Sequence, residues 1–546
     1  MKKPSSLSSS SHLSSLPCLH GNLCTREAIF CMLLSLLLIS FAFLAVDSRN
    51  GNSVSWFSLE SPLLNPRVRA SGDGVLFSRS DSIKPGGKNS RKERLVELHR
   101  SELDSRDSVE NSSHGSSISL PPVAAPSTAP MPDPTLFNNS LMNDTISLPE
   151  TRDSGRRDIK LKKIELGLAR ARAAIRAVIQ NKSSLANLPD MDYVPIGPVY
   201  RNAYTFHRSY VEMEKKFKVY IYKEGEPPIF HDGPCKSIYS SEGRFIHSME
   251  IDDKFQTRDP ELAHVYFLPF SVVKMVKLIY VPNSHDMGPL RRTISDYIDV
   301  IATKYPYWNR SAGADHFMLS CHDWGPYVSS GHPHLFSNSI RVLCNANTSE
   351  GFNPSKDVSL PEINLKTDSI ASTIGGPSAS HRPILAFFAG GDHGPIRPLL
   401  LKHWKNKDND IQVYEYLRKG VSYYDMMRKS KYCICPSGYE VASPRIVEAL
   451  YLECVPVTIG DNYVLPFSDV LNWKSFSVPV SKEDIPNLKA ILMSISPRQY
   501  IRMQRRVKIA QRHFMVNSPP KRYDVFHMIL HSIWLRRLNV QVGPRD

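Results

Sequence analysis

The sequence predicts an α/β protein built as two lobes, and three observations predict it. From Phe217 onward, short apolar runs (KVYIY at 218–222, HVYFLP at 264–269, then 317–320, 384–388 and 431–435) alternate with helical patterns, the rhythm of strands threaded between helices. A stretch around residues 351–382, rich in Ser, Pro and Gly, breaks that rhythm without helical periodicity and reads as the crossing between lobes. Finally, Lys431 to Gly460 spells a complete β-α-β unit: a strand through Tyr432 to Cys435, a Pro-Ser-Gly loop, Ser443 at the N-cap, Pro444 at the first helical position, a helix to Leu452 and a second strand, Val455 to Ile459. At 546 residues, with 41% apolar and 22% charged residues, the chain can bury more than one core.

The elements in order begin with a tail, residues 1–27, and an uncharged apolar run, Ala28 to Val46, long enough as a helix to cross a bilayer core of about 30 Å. The run exceeds the roughly 7 to 15 residues of a cleaved signal peptide's apolar core and follows a long leader, so it reads as an uncleaved anchor. Lys2, Lys3 and Arg26 precede it, whereas Asp47 and Arg49 follow it, which places the amino terminus in the cytosol. Residues 47–190 are rich in Ser, Pro, Asn and charge and read as a largely disordered lumenal stem. Near 158–180, Leu161, Ile164, Leu168, Ala171, Ile175 and Val178 recur at heptad spacing among Lys and Arg. That is one basic amphipathic helix, which either dimerises a stalk or packs on its own domain. The first lobe is expected over 191–365, the second lobe with terminal helices over 366–546.

N-x-S/T acceptors stand at Asn111, Asn138, Asn143, Asn181, Asn309 and Asn347, all beyond the apolar run, as a lumenal chain requires. Six cysteines follow the stem, Cys235, Cys321, Cys344, Cys433, Cys435 and Cys454; they permit up to three disulfides in an oxidising compartment, with Cys321–Cys344 the first expectation. Cys433-x-Cys435 lacks a second ligand pair nearby, so zinc is not expected. Lys and Arg exceed Asp and Glu by 68 − 53 = 15, which favours acidic partners. The run Arg498, Arg502, Arg505, Arg506, Lys508 and Arg512 lies on an expected helix whose cations read as a solvated face; nucleic acid is discounted for a domain behind a membrane.

Three segments carry chemistry. In the β-α-β unit, Glu440 and Glu448 flank Arg445 at a strand's carboxyl end and a helix start. Carboxylates there can accept the hydroxyls of a ribose or sugar diol, and a guanidinium can grip a diphosphate, so the spacing suits a nucleotide sugar. In ILAFFAGGDHGPIR (384–397) a strand runs into glycines that allow close approach, then a helix opening with Arg397. In GADHFMLSCHDWGP (313–326) a strand ends at His322, Asp323 and Trp324, the parts needed to deprotonate a sugar hydroxyl while its ring stacks on an aromatic face. Asp232, Glu242 and His247 are further acceptor-side candidates. Asp408-Asn409-Asp410 has the form of a metal-binding carboxylate pair but lies in a hydrophilic run with lysines close by and reads as a solvated loop.

These segments, together with KVYIYKEGEPPIFHDGP and FQTRDPELAHVYFLPFS, resemble in one continuous order, from about Val194 to Trp534, the exostosin-like glycosyltransferases of family 47, especially plant members. The resemblance implies a Golgi membrane enzyme, single-pass type II, with two facing Rossmann-like lobes (the GT-B fold). It also implies inverting transfer of a hexosyl or pentosyl unit from a nucleotide sugar to a polysaccharide or glycoprotein glycan, with a place in cell-wall polysaccharide synthesis. By position it assigns donor contacts to Arg397, Glu440, Arg445 and Glu448, with Ser443 beside them, and it names no equally firm base. No cofactor is expected; leaving-group charge falls to arginines and helix amides without a metal. Self-association or pairing with other glycosyltransferases stays open. The alternative is a non-catalytic, glycan-binding or complex-organising member of the same fold, disfavoured because all four donor residues are present; a receptor is disfavoured by the short tail.

Overall fold

Successive strand side chains point to opposite faces, and in this chain both faces are apolar. Val219, Ile221, Val265, Phe267, Phe317 and Leu319 enter one core, whereas Tyr220, Tyr266, Leu268 and Met318 enter another. Strands buried on both sides belong in parallel sheets covered by helices, and two such sheets form. The computed structural model describes residues 150–180, 193–368, 370–371 and 373–543. The apolar run at 28–46, the stem before residue 150 and the acceptors Asn111, Asn138, Asn143 and Asn181 lie outside the described residues. Among the described residues no helix is long and apolar enough to cross a membrane.

The first sheet contains β1 (Val219–Ile221), β2 (Val265–Leu268), β3 (His316–Ser320), β4 (Ile340–Leu343) and β5 (Val358–Ser359), side by side in that order and parallel throughout. The second contains β6 (Ile384–Ala389), β7 (Ile411–Tyr414), β8 (Ser430–Pro436), β9 (Val455–Ile459) and β10 (Val478–Val480) in the order β10-β9-β8-β6-β7, again parallel. Its first strand therefore sits inside the sheet, and the chain's direction of progress reverses between β6 and β8. The two-lobe expectation holds.

Two features cross the expected boundaries. The last helix, Val525–Asn539, is buried on nearly every side and returns to the first lobe: Arg537 Nε donates to the His264 carbonyl at 2.6 Å and Arg536 Nε to the Asp357 carbonyl at 3.0 Å, while Trp534 packs edge-on against Phe217. The basic helix spans Glu150–Gln180 and packs on its own domain, with Leu168 and Ala171 fully buried and Leu161 and Val178 nearly so. Arg172 reaches the Leu538 carbonyl at 2.9 Å, Lys160 pairs with Asp259 at 3.3 Å, and Arg537 pairs with Glu165. The helix Pro497–Gln511 buries Tyr500, Met503 and Val507 and turns Arg498, Arg502, Arg505 and Lys508 to solvent as expected, whereas Arg506 donates to the Ser475 carbonyl at 3.1 Å and Arg512 lies over the Tyr193 ring at 4.1 Å.

Disulfides tie strand ends. Cys321–Cys344 joins the residues just after β3 and β4, as expected, and Cys433–Cys454 joins β8 to the residue before β9. Cys435 is a buried thiol, so the six cysteines do not form three pairs among themselves.

Because the Glu150–Gln180 helix completes the first lobe's core, Leu168→Ala should cost about 2–5 kcal/mol. Leu166→Ala, on the exposed side, should stay within about 0.5 kcal/mol. Thermal melts of the two variants check this, and a chain beginning at residue 191 should melt lower than one beginning before 150.

Candidate functional site

In an open parallel sheet, the crevice beyond the strands' carboxyl ends, where strand order reverses, is the natural ligand position. Here that place lies between the loops following β6 and β8. The loops touch: Gly394 has φ +69°, and a Cβ there would fall 1.8 Å from the Gly438 carbonyl oxygen, so no larger residue fits. From the first loop rises Arg397 at the start of the helix Ile396–Trp404, and from the second rises Arg445, opening the helix Arg445–Tyr451.

The two guanidiniums are neighbours. Arg397 is 8% exposed, and its pKa is pushed down to about 10, first by burial and then by the positive charge of Arg445. Neither arginine has an ion-pair partner among the described residues, and the Nε of each is buried without a hydrogen-bond acceptor. Arg445 reaches the Ala389 carbonyl at 3.2 Å and Ser443 Oγ at 3.3 Å and lies over the Phe388 ring at 5.1 Å; Arg397 touches the Gly391 carbonyl at 3.5 Å. Two adjacent cations with open donors make an anion site suited to a diphosphate. Glycines leave them room: a Cβ on Gly390 would lie 2.3 Å from an Arg445 nitrogen, and one on Gly438 2.8 Å from an Arg397 nitrogen. Ser443, expected as the N-cap, accepts the Arg445 backbone N–H at 3.4 Å; the helix starts one residue later than expected, with Pro444 in the cap position.

Glu448 faces the same space from one helical turn on and is 7% exposed. It accepts the Tyr424 hydroxyl at 3.2 Å and the Asn364 amide at 3.5 Å, and its charge, after burial, raises the pKa of Tyr423. Glu440, on the loop, meets the other lobe: its Oε2 accepts Asn345 Nδ2 at 2.7 Å.

Across the crevice, β3 delivers His322, Asp323 and Trp324. His322 Nδ1 accepts the Trp324 backbone N–H at 3.0 Å, which in a neutral ring leaves the proton on Nε2. Its ring lies 5.0 Å from Tyr239 and 5.2 Å from Trp324. Trp324 is half-buried and edge-on to Tyr280, leaving a partly open aromatic surface. Burial, then the charges of Asp323, Glu362 and Glu440, raises the pKa of Tyr239. Asn345 Nδ2 also reaches the Asp323 carbonyl at 3.1 Å and Glu350 at 3.0 Å. Candidates from both lobes thus converge on one crevice.

Other expected residues stand elsewhere. Glu242 is fully buried; it takes hydrogen bonds from Ser271 Oγ, from Val273 N at 3.2 Å and from Cys321 N at 2.8 Å. It therefore braces the end of β3 from beneath instead of meeting an acceptor, and burial raises its pKa against those bonds. His247 lines a small cavity with Val516, Asn517 and Asp524 that includes none of the donor residues. Asp232 pairs with Lys274 at 2.7 Å. Asn347 is buried, accepts the Ser349 N–H at 3.1 Å and donates to Glu350 at 2.9 Å, which closes it to a glycan in the folded chain; Asn309 is exposed. Asp408 and Asp410 both clasp Lys489, at 2.7 and 2.9 Å, just before β7 and hence at the sheet's amino edge, away from the crevice.

The crevice also contains residues the sequence reading missed: Tyr239, Asn345, Glu362, Asn364, Tyr423 and Tyr424. Asn345 was findable, since it follows an apolar strand as Glu440 does. Glu362 and Asn364 were hidden in a stretch read as a crossing.

Two parallel α/β sheets with a cationic crevice at a strand-order reversal define a two-lobed protein built to hold an anionic ligand between its lobes. Residues 213–495 match the exostosin GT47 domain, and the chain belongs to that family of glycosyltransferases. It is 64% identical over 409 residues to an Arabidopsis thaliana protein named "Probable glycosyltransferase", covering 74% of this chain and 78% of that one. Over 339 residues it is 28% identical to a "Probable glucuronosyltransferase" of Oryza sativa subsp. japonica (58% and 81% covered) and 27% identical to a "Probable beta-1,4-xylosyltransferase" of Arabidopsis thaliana (58% and 82% covered).

Gly390→Ala should crowd Arg445 out of place and weaken uridine or guanosine diphosphate binding by about tenfold, the loss of roughly one charge-assisted hydrogen bond. Titration calorimetry reads the affinity; the melting temperature should stay put, because the flexible end of Arg445 absorbs the clash.

Proposed function

We propose that this protein transfers a sugar from a nucleotide sugar to a polysaccharide or glycoprotein glycan with inversion, its lobes forming a GT-B-type donor and acceptor pair. The observation that carries the reading is the pair of neighbouring guanidiniums, Arg397 and Arg445, without carboxylate partners at the strand-order reversal. The diphosphate lies against them, Glu448 and Glu440 take hydroxyls of the ribose or the sugar, and the acceptor ring stacks near Trp324 in the crevice. As the acceptor oxygen bonds to the anomeric carbon, the bond to the diphosphate breaks and its electron pair leaves with the phosphate, where fixed cations stabilise the growing charge. Arginines supply that charge without a metal. The same reading puts the protein in the Golgi membrane, anchored through residues 28–46 with the domain in the lumen, serving cell-wall polysaccharide synthesis; the apolar run supports the anchor.

A panel of nucleotide sugars incubated with the protein, with and without a chelator, tests the reading. At least one should bind, equally well in both conditions, and Glu448→Ala should lose about 1–3 kcal/mol of that affinity. Unchanged binding of every donor by the variant would remove Glu448 from the site, and binding abolished by the chelator would remove the metal-free mechanism.

A further inference from the structure

Displacement at the anomeric carbon needs a group to receive the acceptor hydroxyl's proton. His322 Nδ1 takes the Trp324 backbone N–H and Glu440 takes the Asn345 amide. The segment that carries the chain from β5 toward the second lobe supplies a further carboxylate. Ser241 Oγ donates to the Pro361 carbonyl at 2.7 Å and Ser240 Oγ to the Ile363 carbonyl at 2.6 Å. Ser237 and Leu365 exchange both backbone hydrogen bonds, at 2.7 and 3.2 Å, and Ile363 bridges Tyr239. The stretch from Glu362 to Leu365 is thereby clamped extended, with side chains alternating. Ile363 and Leu365 enter the core, so Glu362 and Asn364 share the other side, and Asn364 marks what lies there: its amide meets Glu448 of the second lobe. Glu362, 6% exposed, lies between the lobes, its charge acting on Tyr239 from the first and on Arg397 and Tyr463 from the second.

We propose that Glu362 is the general base of the transfer. This rests on the nucleotide-sugar reading above. The Glu362 carboxylate accepts the proton of the acceptor hydroxyl while that oxygen bonds to the anomeric carbon; the bond from that carbon to the diphosphate breaks, and the electron pair departs with the diphosphate onto Arg397 and Arg445. The proton returns to solvent after the products leave. Placement on the seam suits the role, because a base must touch the acceptor yet stand within reach of a sugar whose diphosphate the other lobe holds. Near burial adds to it by keeping bulk water from the carboxylate.

The test uses the whole chain and the variants Glu362→Gln, which keeps shape and removes basicity, and Glu362→Asp, which keeps the charge on a shorter arm. The probes are uridine and guanosine diphosphate for binding, and release of nucleoside diphosphate from their sugar conjugates, with and without polysaccharide acceptors, for turnover. Glu362→Gln should bind the diphosphate within about threefold of the unaltered protein, release it about 100-fold or more slowly, and lose the limb of the pH profile on which the rate rises with pH. Glu362→Asp, which remains ionised, should keep that limb at a reduced rate. Turnover of Glu362→Gln within about tenfold of the unaltered protein would overturn the assignment. So would parallel loss of diphosphate binding and turnover in both variants, which would mark a donor contact or a structural role. If the unaltered protein binds neither diphosphate, the donor reading itself fails, a result separable from either of these.

Discussion

Two like charges set side by side under partial burial are the constraint on which this crevice depends. A buried cation is costly unless something compensates it, and Arg397 and Arg445 form no ion pair among the described residues, although the Glu362 charge acts on Arg397. What holds them is the frame: the Ala389 and Gly391 carbonyls, the Phe388 ring and the Ser443 hydroxyl. Gly390 and Gly438 make room by lacking side chains. The arrangement favours an anion.

The second lobe alone could bind such an anion; reaction also needs the first. The lobes meet carboxyl edge to carboxyl edge, as the bridge between Asn347 and Tyr463, the bond from Val464 N to the Ala346 carbonyl at 3.0 Å and the Asn345–Glu440 contact show. Buried Glu242 and the Cys321–Cys344 disulfide fix the end of β3, so His322, Asp323 and Trp324 are presented from a braced support. Precision of that kind matters for proton transfer, where reacting groups must come within hydrogen-bond reach. The last helix and the Glu150–Gln180 helix support the first sheet from behind, which makes residues distant in sequence from the crevice part of what holds it.

Much of this was legible from the chain. Alternating apolar runs specified both sheets, because a parallel strand must be apolar on both faces. The strand-to-helix turns at Gly390 and Gly438 marked the arginine-lined loops, because only a glycine there lets the side chains approach so closely. The reading was less sure where a residue's role depends on what packs over it. Glu242 and His322 have the chemistry expected of an acceptor site, yet backbone groups claim that chemistry, and Asn347 carries a glycosylation motif but folds into a cap.

By itself, the order of residues determined two α/β lobes and placed Arg397, Glu440, Arg445 and Glu448 at strand ends and helix starts, since periodicity and turn chemistry are local properties of a chain. Only the tertiary structure decided that the two arginines are neighbours, that Asn345 meets Glu440 and that the terminal helix packs on the first lobe. These are encounters between segments up to several hundred residues apart, and hydrophobic burial, which brings such segments together, does not depend on their separation along the sequence.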